Sequence, residues 1–272
     1  PNTGGEWTTN MLIAIDMVND DPRSLGSNWQ MHQPPADVTH LWACWDDTKL
    51  YLAWQFVDVT DKLDPVNAGG AASTPIRNNS GILQFVSIDT IAGAGAPSNM
   101  WAKIDRMTGS DLPDYQIGMR SDLYTSYISR SMGGVFAGDS QLGTNYFATT
   151  NRGITIARAA GCASATLLGP YSDIDSYLAN TNMSLTEYVS SGHDTSRDSF
   201  YEMSIPFTAL GIDKAALEAN GLGVFINMGS SSSVDSIPND AATLNTYGLS
   251  GDSPLEWEDG DQFTAGYARV AK

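Results

Sequence analysis

Residues 39–61, THLWACWDDTKLYLAWQFVDVTD, constrain the fold more than any other stretch of the chain. Two apolar runs flank one short polar turn. In the second run Leu50, Leu52, Trp54 and Phe56 fall on one side, and Tyr51, Ala53, Gln55 and Val57 on the other. In the first, Leu41, Ala43 and Trp45 alternate with His40, Trp42 and Cys44. A period of two is the side-chain period of a strand, not of a helix. Asp46, Asp47, Thr48 and Lys49 make a polar connection short enough for an antiparallel hairpin. The more apolar face, with Trp54 in it, is expected to point into a core.

The chain has 272 residues, 42% of them hydrophobic and 10% aromatic, enough for one large β domain with a real core. Its formal charge of −17 argues against nucleic acid and against anionic membrane surfaces, because both need clustered Lys and Arg. Most of the acid is Asp, which suits turns and caps better than long solvated helices. Such a surface fits a neutral substrate or a hard cation. No stretch approaches the roughly 18 consecutive apolar residues of a membrane helix, so membrane insertion is not expected. The opening PNTGGEW has no signal-peptide pattern, and the chain reads as a mature or excised piece of something longer. Cys44 and Cys162 fit two buried thiols better than one bridge, and two lone cysteines are a poor metal site.

Strands are expected at 11–18, in the hairpin, and at 81–90, 100–107, 115–120 and 123–130. Further strands are expected near 146–150 and 154–159, then at 199–205, 222–228 and 262–270. Ser172 with Asp175 and Ser184 with Glu187 mark two short helices within 172–191. Asp213 caps a third, closed by Gly221. No repeat and no linker divides the chain, so residues 1–272 are read as one antiparallel β-sandwich, all-β, of jelly-roll or immunoglobulin-like form, with long loops and a few short helices.

Two segments carry a family likeness. WDDTKLYLAWQFVDVTD (45–61) resembles the W-D-[DE]-x-x-L-Y-[LV] hairpin of the family 9-like carbohydrate-binding modules and their DOMON-like relatives. YEMSIPFTALGI (201–212), followed by LGVFINMG, is similar to the Y-E-[FMA]-x-I-P-x-x-x-L-G strand and turn of the same superfamily, and SPLEWEDGDQFTAGYARV (253–270) to its last strand. The beginning, WTTNMLIAIDMVNDDPRSLG (7–26), resembles accessory modules of bacterial amylases and cell-surface starch-binding proteins, related to the glucodextranase C-terminal module. The matches lie toward the two ends; residues 133–193 have no counterpart. The resemblance implies a non-catalytic sandwich, secreted or on a bacterial cell surface. It would bind starch or another neutral polysaccharide beside other modules or a surface amylase, often with a structural calcium and with no cofactor required.

Sugar recognition needs a flat apolar surface for the C–H face of a pyranose, and polar groups for its hydroxyls; Trp and Tyr supply the first at low entropic cost. Trp45 and Trp54 read as core, Trp257 as packing in a turn, and Trp42 stands between packing and binding. Trp29, in the polar stretch SNWQMHQPP, has no apolar period to bury it. Trp101, after a glycine-rich turn, and Trp7, in a polar leader, are rim candidates, with Tyr124 and Tyr127 beside them. Asn28, Gln30, His32, Lys103 and Asp105 are the candidate polar partners. Calcium needs several oxygen ligands from flexible loops. Asp20 and Asp21 in VNDDPRS, with Asp58, Asp61 and Asp64 in VDVTDKLDP, are the candidates, although Asp20 or Asp21 equally caps a turn before Pro22. A glycoside hydrolase with an Asp/Glu pair is the alternative. Glu202, Glu256 and Glu258 are available to it, but nothing in the sequence marks a pair. A structural or adhesion domain without a sugar site is the third reading. Phosphate loops, dinucleotide fingerprints and nucleophile elbows are absent.

Overall fold

A computed structural model of the chain describes residues 6–16, 36–58, 83–91, 93, 95, 112–120, 126–132, 135–138, 153–160, 199–229, 233–238 and 266–270. These form two antiparallel sheets facing each other, an all-β sandwich. The strands are β1 (Leu12–Ile15), β2 (Ala36–Trp45), β3 (Lys49–Asp58), β4 (Leu83–Asp89), β5 (Tyr115–Arg120) and β6 (Ser126–Met132). They continue with β7 (Val135–Gly138), β8 (Thr155–Ala160), β9 (Ser199–Pro206), β10 (Leu222–Gly229), β11 (Ser233–Ile237) and β12 (Ala268–Val270). Two short helices, α1 (Phe207–Leu210) and α2 (Lys214–Asn220), sit between β9 and β10.

The five-stranded sheet has the order β1-β2-β3-β9-β8; the second runs β11-β10-β4-β5-β6-β7. In the second sheet β12 also pairs with β10, through Leu222–Val224, while β11 takes the other end, Ile226–Gly229. The hairpin is the centre of the first sheet. Its register, Trp45↔Leu50, Ala43↔Leu52 and Leu41↔Trp54, puts the larger apolar face inward, as alternation predicts. The turn closes by Asp46 N–H donating to the Lys49 carbonyl at 3.0 Å. Phe207 N–H donates to the Thr48 carbonyl at 2.9 Å and so ties the turn to α1.

Between the sheets, Leu41, Leu50, Leu52 and Trp54 from the hairpin meet Val86, Ile88, Ile117 and Val224 from the opposite sheet, all with no exposed surface. Burial of each such aliphatic side chain contributes about 1.5–3 kcal/mol. Trp54 stacks on Tyr201 at 5.3 Å with an interplanar angle of 5°, and its indole N–H donates to Gln84 Oε1 at 2.7 Å across the sandwich. A buried Trp without an acceptor would cost the desolvation of its N–H, so this bond fixes the facing register of β3 and β4. Tyr115 does the same for α1, donating its hydroxyl to the Leu210 carbonyl. The helical segment ends at Gly211, whose φ of 62° is the left-handed conformation that glycine accepts without a Cβ clash. In α2, Asp213 Oδ1 accepts from Ala216 N–H at 2.8 Å, the cap expected from the sequence.

Elsewhere the structure departs from the sequence reading. β1 is limited to Leu12–Ile15, because Thr9–Met11 makes a 3-10 turn before it. β7 and β11 fall where no strand is expected from the sequence; each is short and held by its neighbour's ladder. A strand of four or five residues is too short to show its period in the sequence, and pairing with a neighbour defines it. The expected strands at 100–107 and 146–150 and the helices within 172–191 lie outside the described residues. Among the described residues no helix is long and apolar enough to cross a membrane.

Candidate functional site

The outward face of the five-stranded sheet is where the sequence alternation leaves its polar and mixed residues. Strand register aligns them into three rows across β2, β3, β9 and β8. One row is Cys44–Tyr51–Ser204–Thr155, the next Trp42–Ala53–Glu202–Ala157, and the third His40–Gln55–Phe200–Ala159. The rows differ in burial. Trp42, Ala53 and Phe200 are closed over by Trp7, Met11 and Leu12 of the N-terminal segment. Trp42 meets Phe200 edge-on at 5.6 Å and stacks with His40 at 5.4 Å. Trp42 is therefore packed, which resolves the ambiguity its sequence position left.

Beyond that cover, the sheet stays open as a concavity of about 420 Å³. Glu6, Trp7 and Met11 of the N-terminal segment form one wall. Cys44 and Tyr51 of the hairpin form another, and Thr155, Ala157, Glu202 and Ser204 lie across the floor. The volume lies within the usual range of small-molecule pockets, roughly 300–1,000 Å³.

Two aromatic rings flank the cavity, and a carboxylate holds each. Trp7 donates its indole N–H to Glu202 Oε1 at 2.7 Å, joining residues 195 positions apart in sequence. Tyr51 donates its hydroxyl to Asp46 Oδ2 at 2.8 Å. Asp46 is itself fixed by the hairpin turn. Its Oδ1 accepts from Thr48 N–H at 2.6 Å, Lys49 N–H at 2.8 Å and Thr48 Oγ1 at 2.9 Å. These donors, with the Thr48 amide the strongest and the Tyr51 hydroxyl next, hold the Asp46 carboxyl far below the usual carboxylate range. Asp46 in turn pushes the Tyr51 phenol up, mainly through their hydrogen bond. Charge-assisted bonds are roughly twice as strong as neutral ones, so each bond favours the set orientation of its ring before any ligand arrives, more firmly at the half-buried Trp7 than at the solvent-exposed Tyr51–Asp46 pair. Thr155 Oγ1 and Ser204 Oγ lie 2.8 Å apart on the floor and offer hydroxyls.

Cys44 is a free, half-buried thiol at the cavity edge. Burial, and then the Asp46 charge, raise its pKa, so it is a weak nucleophile. His40 is buried, stacked on Trp42, with Nδ1 at 2.9 Å from Thr39 Oγ1, and burial lowers its pKa to about 4. It is neutral near pH 7 and lines no part of the cavity.

Of the sugar-binding residues expected from sequence, Trp7 is placed at this cavity, and it serves both as packing for Trp42 and as a wall. Trp29, Gln30, His32, Trp101, Lys103 and Tyr124 lie outside the described residues. So do the calcium candidates Asp20, Asp21, Asp61 and Asp64. Among the described residues no group of three or more His, Cys, Asp or Glu is arranged to hold a metal. Trp54 is core, as expected; Trp45 is half-buried at the core's margin, its indole N–H 3.4 Å from Glu218 Oε1. The sequence reading missed Tyr51 and Ser204 as wall and floor, although both stand at the polar parity of their strands. No protein-family model matches the chain, and no curated protein matches it either.

Proposed function

We propose that this chain is a non-catalytic carbohydrate-binding module that holds a polysaccharide in the outer-face cavity. The observation that carries the reading is the pair of pre-set aromatic rings, Trp7 on Glu202 and Tyr51 on Asp46, flanking a cavity floored by hydroxyls. Stacking uses the ring faces, and the Ser204 and Thr155 hydroxyls with the Glu202 carboxylate supply hydrogen bonds to sugar hydroxyls. Pre-setting the rings removes an ordering cost that a mobile platform would incur on binding.

Starch or maltooligosaccharide as the ligand, a secreted or cell-surface setting beside an amylase, and a structural calcium follow from the family resemblance and belong to this proposal. Isothermal titration with maltoheptaose tests it. The wild type is expected to bind, and Trp7→Ala to bind at least about tenfold more weakly, a loss of about 1.4 kcal/mol. Absence of heat with maltoheptaose and with soluble starch would refute the reading.

Hydrolysis is the second reading, and one observation favours it: Glu6 and Glu202 line the same cavity, and glycosidases work with two carboxyl groups. Release of reducing ends from starch by the pure chain, abolished by Glu202→Gln, would replace binding with catalysis.

A further inference from the structure

We infer that the cavity selects an amine-bearing saccharide, of glucosamine type, over its neutral counterpart, and rejects an acidic one. This rests on the reading of the cavity as a saccharide site and names the class of sugar it takes best. Every ionisable carboxyl on the cavity wall and floor is a glutamate, Glu6 or Glu202, and the described lining residues include no Lys, Arg or His. A third carboxylate, Asp46, stands behind Tyr51 through their 2.8 Å bond. Lys49 shares the face of Tyr51 two residues along β3, but it opposes Pro206 in the register and does not line the cavity.

The aromatic walls act in the same direction. Trp7 and Tyr51 give their polar hydrogens to carboxylates, which leaves each ring richer in electrons than a free one. An ammonium group is attracted both to such a ring face and to the nearby carboxylates, whereas a neutral sugar gains only its C–H contacts and hydrogen bonds. The net charge of −17 adds a long-range field that draws cations and repels uronates. The negative charge of Glu202 is the operative feature, whatever hydrogen bonds the carboxylate makes. The discrimination is therefore electrostatic and sensitive to salt.

The test is titration of the whole chain near neutral pH with a linkage-matched series: tetraglucosamine, its fully N-acetylated form and cellotetraose. Tetragalacturonate and maltoheptaose accompany them. Tetraglucosamine is expected to bind at least about tenfold tighter than cellotetraose, a difference of about 1.4 kcal/mol. The N-acetylated form, of similar bulk without the charge, should lose that advantage, and tetragalacturonate should not bind. Raising the salt to about 0.5 M should shrink the amine preference to a few-fold. In Glu202→Gln, and further in the double variant with Glu6→Gln, the ratio of amine to neutral affinity should fall toward one. Thermal unfolding of each variant checks that it is folded. Equal affinity for tetraglucosamine and cellotetraose, or binding of maltoheptaose with the β-linked series silent, overturns the inference and leaves the saccharide reading standing. An amine preference that survives in a folded double variant also overturns it, because the charge then acts from elsewhere. Silence with every ligand overturns the saccharide reading itself.

Discussion

Trp54 and Trp7 lie on opposite faces of the same five-stranded sheet, and each gives its indole N–H to a side-chain oxygen at 2.7 Å. Their surroundings separate them. Trp54 is wholly buried, stacked on Tyr201 and bonded to a neutral amide of the facing sheet. Trp7 is half-buried on a segment laid over the sheet, bonded to a carboxylate, with the cavity beside it. The same hydrogen bond thus does two jobs. Inside, it satisfies a donor that has no water to turn to. Outside, it orients a ring that can still meet a ligand. Its acceptor marks the difference: a hydrogen-bonded amide costs far less to bury than a carboxylate, which needs the partly wet outer face.

The largest expected effect breaks the inner half. Trp54→Ala should destabilise the fold by about 4 kcal/mol, from the lost contacts, the cavity left behind and the lost bond to Gln84. Denaturant unfolding measures it, and a loss under about 1 kcal/mol would mean that the sandwich does not depend on that pair.

A buried residue of the outer-face rows, His40, gives the next effect, and it depends on pH. The unfolded chain takes up a proton at His40 near pH 6.5, whereas the folded chain refuses it down to about 4. The folded state therefore keeps its full stability above pH 6.5 and loses it as pH falls toward 4, by on the order of 3 kcal/mol. The difference in unfolding free energy between wild type and His40→Gln, followed across that window, isolates this contribution from the carboxylates. A difference that stays flat with pH would show that His40 titrates normally.

Smaller effects sharpen the outer half. Asp46→Ala should loosen Tyr51 and weaken maltoheptaose binding a few-fold, in calorimetric titration, while the hairpin stays paired. Asp213→Ala, which removes the α2 cap and touches neither tryptophan's hydrogen bond, should cost about 1 kcal/mol of stability in thermal unfolding. It should leave sugar affinity alone. A change in affinity there would mean that α2 shapes the cavity through the Lys214–Asp47 ion pair at 2.7 Å.

The inner half was legible in the sequence because burial writes itself as period two: Leu50, Leu52 and Trp54 declare the core face by their alternation alone. The α2 helix was legible for a similar reason, since Asp213 and Gly221 are local signals at its two ends. The outer half was only partly legible. Parity placed Tyr51 away from the core, but the cavity needs Glu202 and Thr155 brought beside it by β9 and β8, and strand order is not written in any one strand. The Trp7–Glu202 bond joins residues 195 positions apart and has no local signature. Trp42 shows the converse difficulty. Its parity pointed outward, and among the described residues the segment around Trp7 and Met11 covers it there. β7 and β11 are too short to show a period of their own, and their neighbours' ladders hold them.

The central claim is that a ligand occupies the outer-face cavity, and Cys44 at its edge reports on that directly. The rate of maleimide labelling of Cys44, read from the mass of its own peptide, can be followed with and without saturating maltoheptaose. The account predicts labelling slowed at least about fivefold by the sugar in the wild type and slowed much less in Trp7→Ala at the same sugar concentration, as expected when occupancy controls access. Sugar binding seen by calorimetry with the Cys44 rate unchanged would contradict it and place the site elsewhere on the molecule.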